Sequence, residues 1–336
     1  MIRSAQKTRL CAVMALAGAV AWGCGAGAGH VEAADFPYPT KPIRMLAPEP
    51  GGGNEIAGRT IAQALSIQLG QNLVVENRGA ASGAIAGEIL AHATPDGYTL
   101  LYYGSTVWLL PYLRDKVPFD PVKDFAPVSL GTRAPFYLFV HPSVKANSVR
   151  ELIDYAKAHP GKLNYGSAGS GAATHLTAEL FKIVAGVDIV RIAYKGSGLA
   201  SNALVTGEVQ LMFVSGSVGL PHVRAGRLKA LAIASPGRSS LSPEVPTMAE
   251  SGLPGYEASS MSGMFAPAKT PRAIVKLLSD EVARALKRDD VKQSFVRRGT
   301  EAVGSTPEEF AAIIREDMAK WSRVIKAAGI NEKKGR

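Results

Sequence analysis

The sequence predicts an α/β fold in which parallel strands are covered by helices on both faces. Three observations carry that expectation. Short apolar or β-branched runs alternate along the chain with helix-length apolar stripes. The segments between them are rich in glycine, serine and threonine. The composition, 46% hydrophobic and 20% charged over 336 residues, is that of an ordinary globular chain and excludes disorder, collagen and coiled coil. At about 150 residues per domain, the length suits two domains.

The elements follow in order. Pro42–Pro48 reads as a strand. From Glu55 to Leu69, the residues Ile56, Ile61, Leu65 and Leu69 mark a helix, and Gly70 is its stop signal. Leu73–Glu76 reads as a strand, Ala84–Ala93 as a helix, Pro95-Asp96-Gly97 as a turn and Tyr98–Tyr103 as a third strand. This βαβαβ rhythm favours parallel pairing. Phe136–His141 is the next strand, and Ser148 with Glu151 gives a capping-box pattern opening a helix to His159. Strand Lys162–Gly166 and helix Thr174–Val184 come next. Strand-like runs follow at Val187–Tyr194, Val209–Val214, Leu228–Ala234 and Ser259–Ala266. Two helices close the chain. The first, Pro271–Arg288, carries Ile274, Leu278, Val282 and Leu286 on one stripe. The second has Thr306 as N-cap, Pro307 at its first position and Glu309 completing a box. Its core-facing stripe is Phe310, Ile313, Ile314, Trp321, Val324 and Ile325.

The N-terminus reads as a secretory leader of residues 1–34. Arg3, Lys7 and Arg9 precede the apolar run Leu10–Gly23, and Val31-Glu32-Ala33 fits a small-x-small cleavage site, with Ala33 or Ala34 the last residue removed. The run is shorter than the roughly 20 residues a spanning helix needs. Export to the periplasm is therefore expected. Cys11 and Cys24, the two cysteines, both fall in the leader. Disulfide scaffolds, zinc–cysteine sites and cysteine nucleophiles are excluded together for the exported chain. Three bases and one acid leave with the leader, so the formal charge falls from +10 to +8. The basic residues are not clustered, and no nucleic-acid partner is expected. The stretch Tyr98–Leu113 is interrupted by Gly104-Ser105-Thr106 and by Pro111, so no second membrane segment is expected.

Several strands end in loops of small residues: Pro50-Gly51-Gly52-Gly53-Asn54, Gly104-Ser105-Thr106, Gly166–Gly171, Lys195-Gly196-Ser197-Gly198 and Ser215-Gly216-Ser217. Asn54 is placed to cap the helix after it. In open α/β sheets ligands bind beyond the carboxyl ends of the strands. Glycine lets backbone N–H groups approach closely, and a helix's first turn offers unpaired donors and a favourable dipole to an anion. Each charge-assisted bond to a carboxylate contributes roughly 1.5–3 kcal/mol, so a few of them suit a micromolar ligand. Other chemistry lacks its pattern. Ile56 stands where a dinucleotide loop needs glycine, and neither a phosphate-loop lysine motif nor a Gly-x-Ser-x-Gly elbow occurs. The histidines outside the leader show no metal-ligand spacing. No cofactor and no metal are expected. His175 near Ser170 admits a serine hydrolase, although a histidine that caps or packs is the simpler reading.

A set of motifs in order makes the chain recognisable. They are Tyr38-Pro39-Thr40-Lys41-Pro42-Ile43-Arg44, the Pro-Gly-Gly loop at 50–53, Val75-Glu76-Asn77-Arg78 and Pro95-Asp96-Gly97-Tyr98-Thr99-Leu100-Leu101. Then come Phe119–Val128, Pro160–Ser167, Tyr194-Lys195-Gly196, Pro221-His222-Val223 and Gly304–Phe310. In this order they resemble the periplasmic solute-binding proteins of the tripartite tricarboxylate transporter class, the Bug family.

The resemblance implies a bilobed periplasmic binding protein, type II-like, with two α/β domains and a ligand cleft between them. Lobe one would be 35–135 plus 260–336 and lobe two 136–259, with crossings near 133–138 and 256–262. It implies a small organic carboxylate held by Gly51, Gly52, Gly53, Asn54 and Glu55 in lobe one and by Ser167, Gly169, Ser170, Gly171 and Ala172 in lobe two. Ser105, Thr106, Tyr194, Lys195 and Val214 would complete the wall. Three positions depart from the family's pattern. Glu55 stands where aspartate is usual, and Ala172 where threonine or serine is common. Val214 stands where many members place an aspartate that can receive an ammonium group. An apolar Val214 disfavours a cationic ligand end, so a carboxylate without an amine is expected. Tyr103 and Trp108, taken to lie near the cleft, suggest a bulky or aromatic one. The implied role is a monomeric receptor delivering its ligand to a membrane permease, with a periplasmic sensor using the same cleft as the alternative.

Overall fold

The computed structural model describes residues 37–50 and 52–330, and the leader lies outside them. The described residues from Pro39 to Ile330 pack as one unit. β1 (Ile43–Ala47) leads into α1 (Gly53–Leu69), then β2 (Leu73–Asn77), a 3-10 turn at Ala80–Gly83, α2 (Ala84–Ala91), β3 (Thr99–Gly104) and α3 (Thr106–Leu113). β2 and β3 flank β1 in parallel, as expected. Ile43, Met45, Leu46 and Ala47 are all buried, the near-continuous apolar run of a strand covered on both faces. α1 stops at Gly70, whose φ of 64° is the left-handed conformation that glycine adopts without a Cβ clash.

The sheet is mixed rather than wholly parallel. β4 (Phe125–Val140) runs antiparallel to β9 (Ser259–Pro267) as far as Pro135. From Phe136 it pairs instead with β7 (Leu211–Ser215) and β8 (Lys229–Ile233), again antiparallel. β9 also lies antiparallel to β3. The order is β2-β1-β3-β9-β4-β7-β5-β6, with β5 (Asn164–Ser167) and β6 (Val190–Ala193) parallel neighbours, and β10 (Glu301–Ala302) on β4. The first half of β4 has no clear strand signature. Pro127 and Pro135 lack an N–H, and the register with β9 shifts between Pro127 and Ser129 and again between Leu130 and Thr132.

The remaining helices are α4 (Val149–Ala158), α5 (Ala173–Ala185), α6 (Ser197–Thr206), α7 (Gly216–Arg224), α8 (Arg272–Lys287), α9 (Asp289–Val296) and α10 (Pro307–Ala327). Two of the three expected caps form. The Ser148 hydroxyl accepts from the Glu151 amide at 3.2 Å, although the Glu151 carboxylate accepts from Asn147 rather than from Ser148. At α10 the box is complete, with Thr306 accepting from the Glu309 amide at 3.2 Å and Glu309 from the Thr306 amide at 2.9 Å. Asn54 is not a cap: α1 begins at Gly53, and Gly52 precedes it.

α10 seats its apolar stripe on an aromatic cluster. Trp108 meets the edge of Phe310 with ring centroids 6.0 Å apart, and Phe265 lies 5.0 Å from Phe310. Asp317 sits within this core, and each of its oxygens accepts an indole N–H, from Trp108 at 2.8 Å and Trp321 at 2.9 Å. Burial raises the pKa of that carboxylate, and the two charge-assisted bonds oppose the rise without cancelling it.

Candidate ligand-binding site

β1, β3, β5, β6 and β7 each lead at their carboxyl ends into a helix, respectively α1, α3, α5, α6 and α7. The first turns of those helices carry amides that no intrahelical carbonyl accepts.

The β5–α5 loop is held by its own side chains. The Ala168 amide donates to Thr174 Oγ1 at 3.0 Å, and the Gly171 amide to His175 Nδ1 at 3.1 Å. The Ala172 amide donates to the Gly169 carbonyl at 3.1 Å. From β6, Arg191 donates Nε to Ser167 Oγ at 2.8 Å and Nη2 to the Ala168 carbonyl at 2.9 Å. These bonds engage the fully buried Ser167 hydroxyl and the amides of Gly171 and Ala172. Among the described residues, the amides of Gly169, Ser170, Ala173 and Thr174 meet no acceptor. Gly169 and Ser170 are exposed. The capacity of this loop to receive an anion therefore rests on Gly169, Ser170 and the first turn of α5.

In the first loop Gly52 and Gly53 are exposed, and Gly51 lies outside the described residues. Asn54 Oδ1 accepts from Ser260 Oγ on β9 at 3.2 Å, and a side chain at Gly104 would overlap the Asn54 amide. Glu55 does not face outward. It is buried, pairs with Arg59 one turn on, and lies 3.5 Å from Asn77 Nδ2.

The β3–α3 segment reaches both loops. The N-terminal side of α3 follows Gly104, which packs on Asn54; at its far end Leu113 lies where a Cβ on Gly171 would stand. An eight-residue helix spans about 12 Å. Ser105 is the buried N-cap residue of α3, and Thr106 is half-buried. Tyr194 lends its hydroxyl to Glu208 at 2.7 Å; burial and then that carboxylate push its pKa up to about 12. Lys195 is exposed.

Three expected wall residues lie in the core instead. Val214 is 3% exposed and packs with Tyr137, Phe139 and Ile233. Trp108 is fully buried on Asp317, and Tyr103 is buried with its ring against Gly83. β3 and β7 are covered on both faces and α10 seats on Trp108, and neither is visible in local sequence. The contrast between Val214 and a family aspartate, and the case for an aromatic ligand, lose their footing with them. Conversely, sequence reading missed Arg191, Thr174 and Ser260. A lone arginine within the β-branched run Val187–Tyr194 was the available signal for the first of these.

His175 packs and caps. Burial, then the charges of Arg191 and Lys182, lower its pKa to about 3, and its Nδ1 already holds the Gly171 amide. A ring held neutral and occupied in this way is a poor general base for Ser170. Among the described residues no group of three or more histidine, cysteine, aspartate or glutamate side chains is placed to hold a metal ion, and no helix is long and apolar enough to cross a membrane.

A family profile described as "Tripartite tricarboxylate transporter family receptor" matches residues 57–330. The chain belongs to this family. It is 36% identical over 295 residues to the protein BugT of Bordetella pertussis, covering 87% of this chain and 90% of that one. Among solved structures, R. palustris Rpa4515 with adipate matches at a TM-score of 0.80 and 34% identity, covering 87% of this chain and 98% of that one. MatC from Rhodopseudomonas palustris with bound malate matches at a TM-score of 0.77 and 32% identity, covering 86% and 100%. The receptor family's members of this fold are two-lobed periplasmic binding proteins, and they bind solutes rather than transform them.

Proposed function

We propose that this receptor-family chain captures a small organic carboxylate of the di- or tricarboxylate class in the periplasm and delivers it to a membrane permease of the tripartite tricarboxylate type. The observation that carries the reading is the set of unengaged amides at Gly169, Ser170, Ala173 and Thr174, fixed in place by Arg191, Thr174 and His175. The α1 start lies at the other end of α3, and a ligand with a carboxylate at each end could contact both. The relatives solved with adipate and with malate support that ligand class. The leader-like N-terminus supports the compartment.

The lobes we assign are 35–135 plus 260–336 and 136–259. The change of β4's partners between Pro135 and Phe136 supports a hinge there. A ligand that touches both lobes favours the closed state by its extra contacts, a population shift. Mass spectrometry of the small molecule that co-purifies with the protein tests the proposal. An organic acid is expected from wild type and none from Ser170→Trp, whose exposed position tolerates the bulk. The same acid recovered from both would place the site elsewhere.

A further inference from the structure

A cavity of about 230 Å³ lies where β4 and β9 run side by side beneath α10. It is separate from the ligand loops. Side chains alternate between the two faces of a strand, and directly paired residues share a face. Ser260 points toward Asn54, while Thr132 and Ser262 bond to each other at 2.7 Å on that same face. Arg133 and its partner Met261, one position out of phase, line the cavity on the opposite face. The walls come from both sides of β4's change of partners: Arg133 before it, Ser235 and Pro236 after β8, and Trp321 on α10.

The charges of this cavity are unequally engaged. Asp317 is closed off by its two indole donors. Lys320 donates its ammonium to the Glu257 carbonyl. Arg133 feels the Asp317 charge, but among the described residues nothing accepts a hydrogen bond from its guanidinium. The inner wall thus holds two cations against one buried carboxylate. Glu257 and Glu316 are exposed at the mouth. Ile313, Met261 and the Trp321 ring give the rest of the wall an apolar surface.

A guanidinium whose N–H groups meet no acceptor presents a planar fork that matches one carboxylate. The apolar wall accommodates a hydrocarbon body, and the acidic mouth repels a second negative charge. We infer that this cavity is a second binding site, separate from the cleft, for a monocarboxylate with a small apolar body. Dicarboxylates, the class proposed for the cleft, are disfavoured here by Glu257 and Glu316.

The built-in reporter is tryptophan emission. Of the three tryptophans, Trp22 falls in the leader, and Trp108 and Trp321 both donate to Asp317 at the cavity. Benzoate is titrated into the purified protein, with adipate in a parallel series. Benzoate is expected to give a saturable change in emission. Arg133→Gln should weaken it about tenfold or more, the loss of a charge-assisted bond, while adipate heats stay at the wild-type value. Ser170→Leu, which obstructs the cleft loop, should leave the benzoate response intact. Glu316→Gln, an exposed change that does not endanger folding, should tighten benzoate by easing repulsion at the mouth. A response that never saturates overturns the inference. So does equal benzoate affinity in wild type and Arg133→Gln, loss of the response in Ser170→Leu, or weaker binding in Glu316→Gln. Failure of adipate to bind touches the cleft reading alone.

Discussion

The Gly171 amide donates to Nδ1 of His175 at 3.1 Å, so the loop that opens α5 is closed upon its own helix. The bond requires a neutral ring, and burial keeps it neutral by lowering the pKa from 6.5 to about 3. Between those values the unfolded chain takes up a proton that the folded chain refuses. Stability contributed by His175 is therefore complete above pH 6.5 and is lost as the pH falls toward 3, by up to about 1.4 kcal/mol per unit. His175→Asn keeps an acceptor near Nδ1 and does not titrate. In urea unfolding across this range, the variant should lose less stability than wild type on acidification. Identical losses would show that His175 does not carry the effect.

Arg191 fixes the same loop from β6 through Ser167 and the Ala168 carbonyl. Arg191→Met removes both bonds and should weaken ligand binding by about tenfold or more, in line with the worth of bonds to charged groups. Arg191→Lys, which reaches one acceptor, should fall between the two. Calorimetric titration reads both, and unchanged affinity in Arg191→Met would remove its positioning role.

Asp317 satisfies Trp108 and Trp321 together. Asp317→Ala leaves two buried indole donors unpaired, at about 1–3 kcal/mol each. A loss of roughly 2–6 kcal/mol in denaturant unfolding is expected, and a change below 1 kcal/mol would show that water or repacking replaces the carboxylate.

Gly171 has a φ of 72°, and a Cβ there would overlap Leu113. Gly171→Ala should cost about 1–2 kcal/mol from the backbone alone, plus the overlap. Leu113→Ala should relieve the overlap and leave the backbone cost. The double-mutant cycle should thus show a coupling of at least about 0.5 kcal/mol between α3 and the β5–α5 loop. Strict additivity would mean the two segments do not press on each other.

The parts of the fold that carry a strong local signal were legible. Gly70 ends α1, Thr306 and Glu309 cap α10, and Ile274, Leu278, Val282 and Leu286 form the buried stripe of α8. α3, α6 and α7 carry no clean helical stripe, because they are short and contain glycine, serine or internal proline. The path of β4 from one set of partners to another is a tertiary fact, and prolines mask its first half. At the candidate site the loops were legible as loops, but which amides stay unengaged was not. That depends on His175, Thr174 and Arg191 reaching back from neighbouring elements. Val214, Tyr103 and Trp108 were misplaced for the same reason, since their burial is decided by strands and helices far away in sequence.

In the proposed site the unengaged amides at the start of α5, together with the loop before α1, receive one small organic acid. Calorimetric titration of the purified protein with a panel of adipate, malate, citrate, aspartate and glutamate decides whether they do. At least one di- or tricarboxylate should bind with one-to-one stoichiometry and a dissociation constant near about 1 μM, corresponding to about −8 kcal/mol, and Ser170→Trp should abolish that heat. No saturable heat from any member of the panel, or full affinity retained by Ser170→Trp, would contradict it.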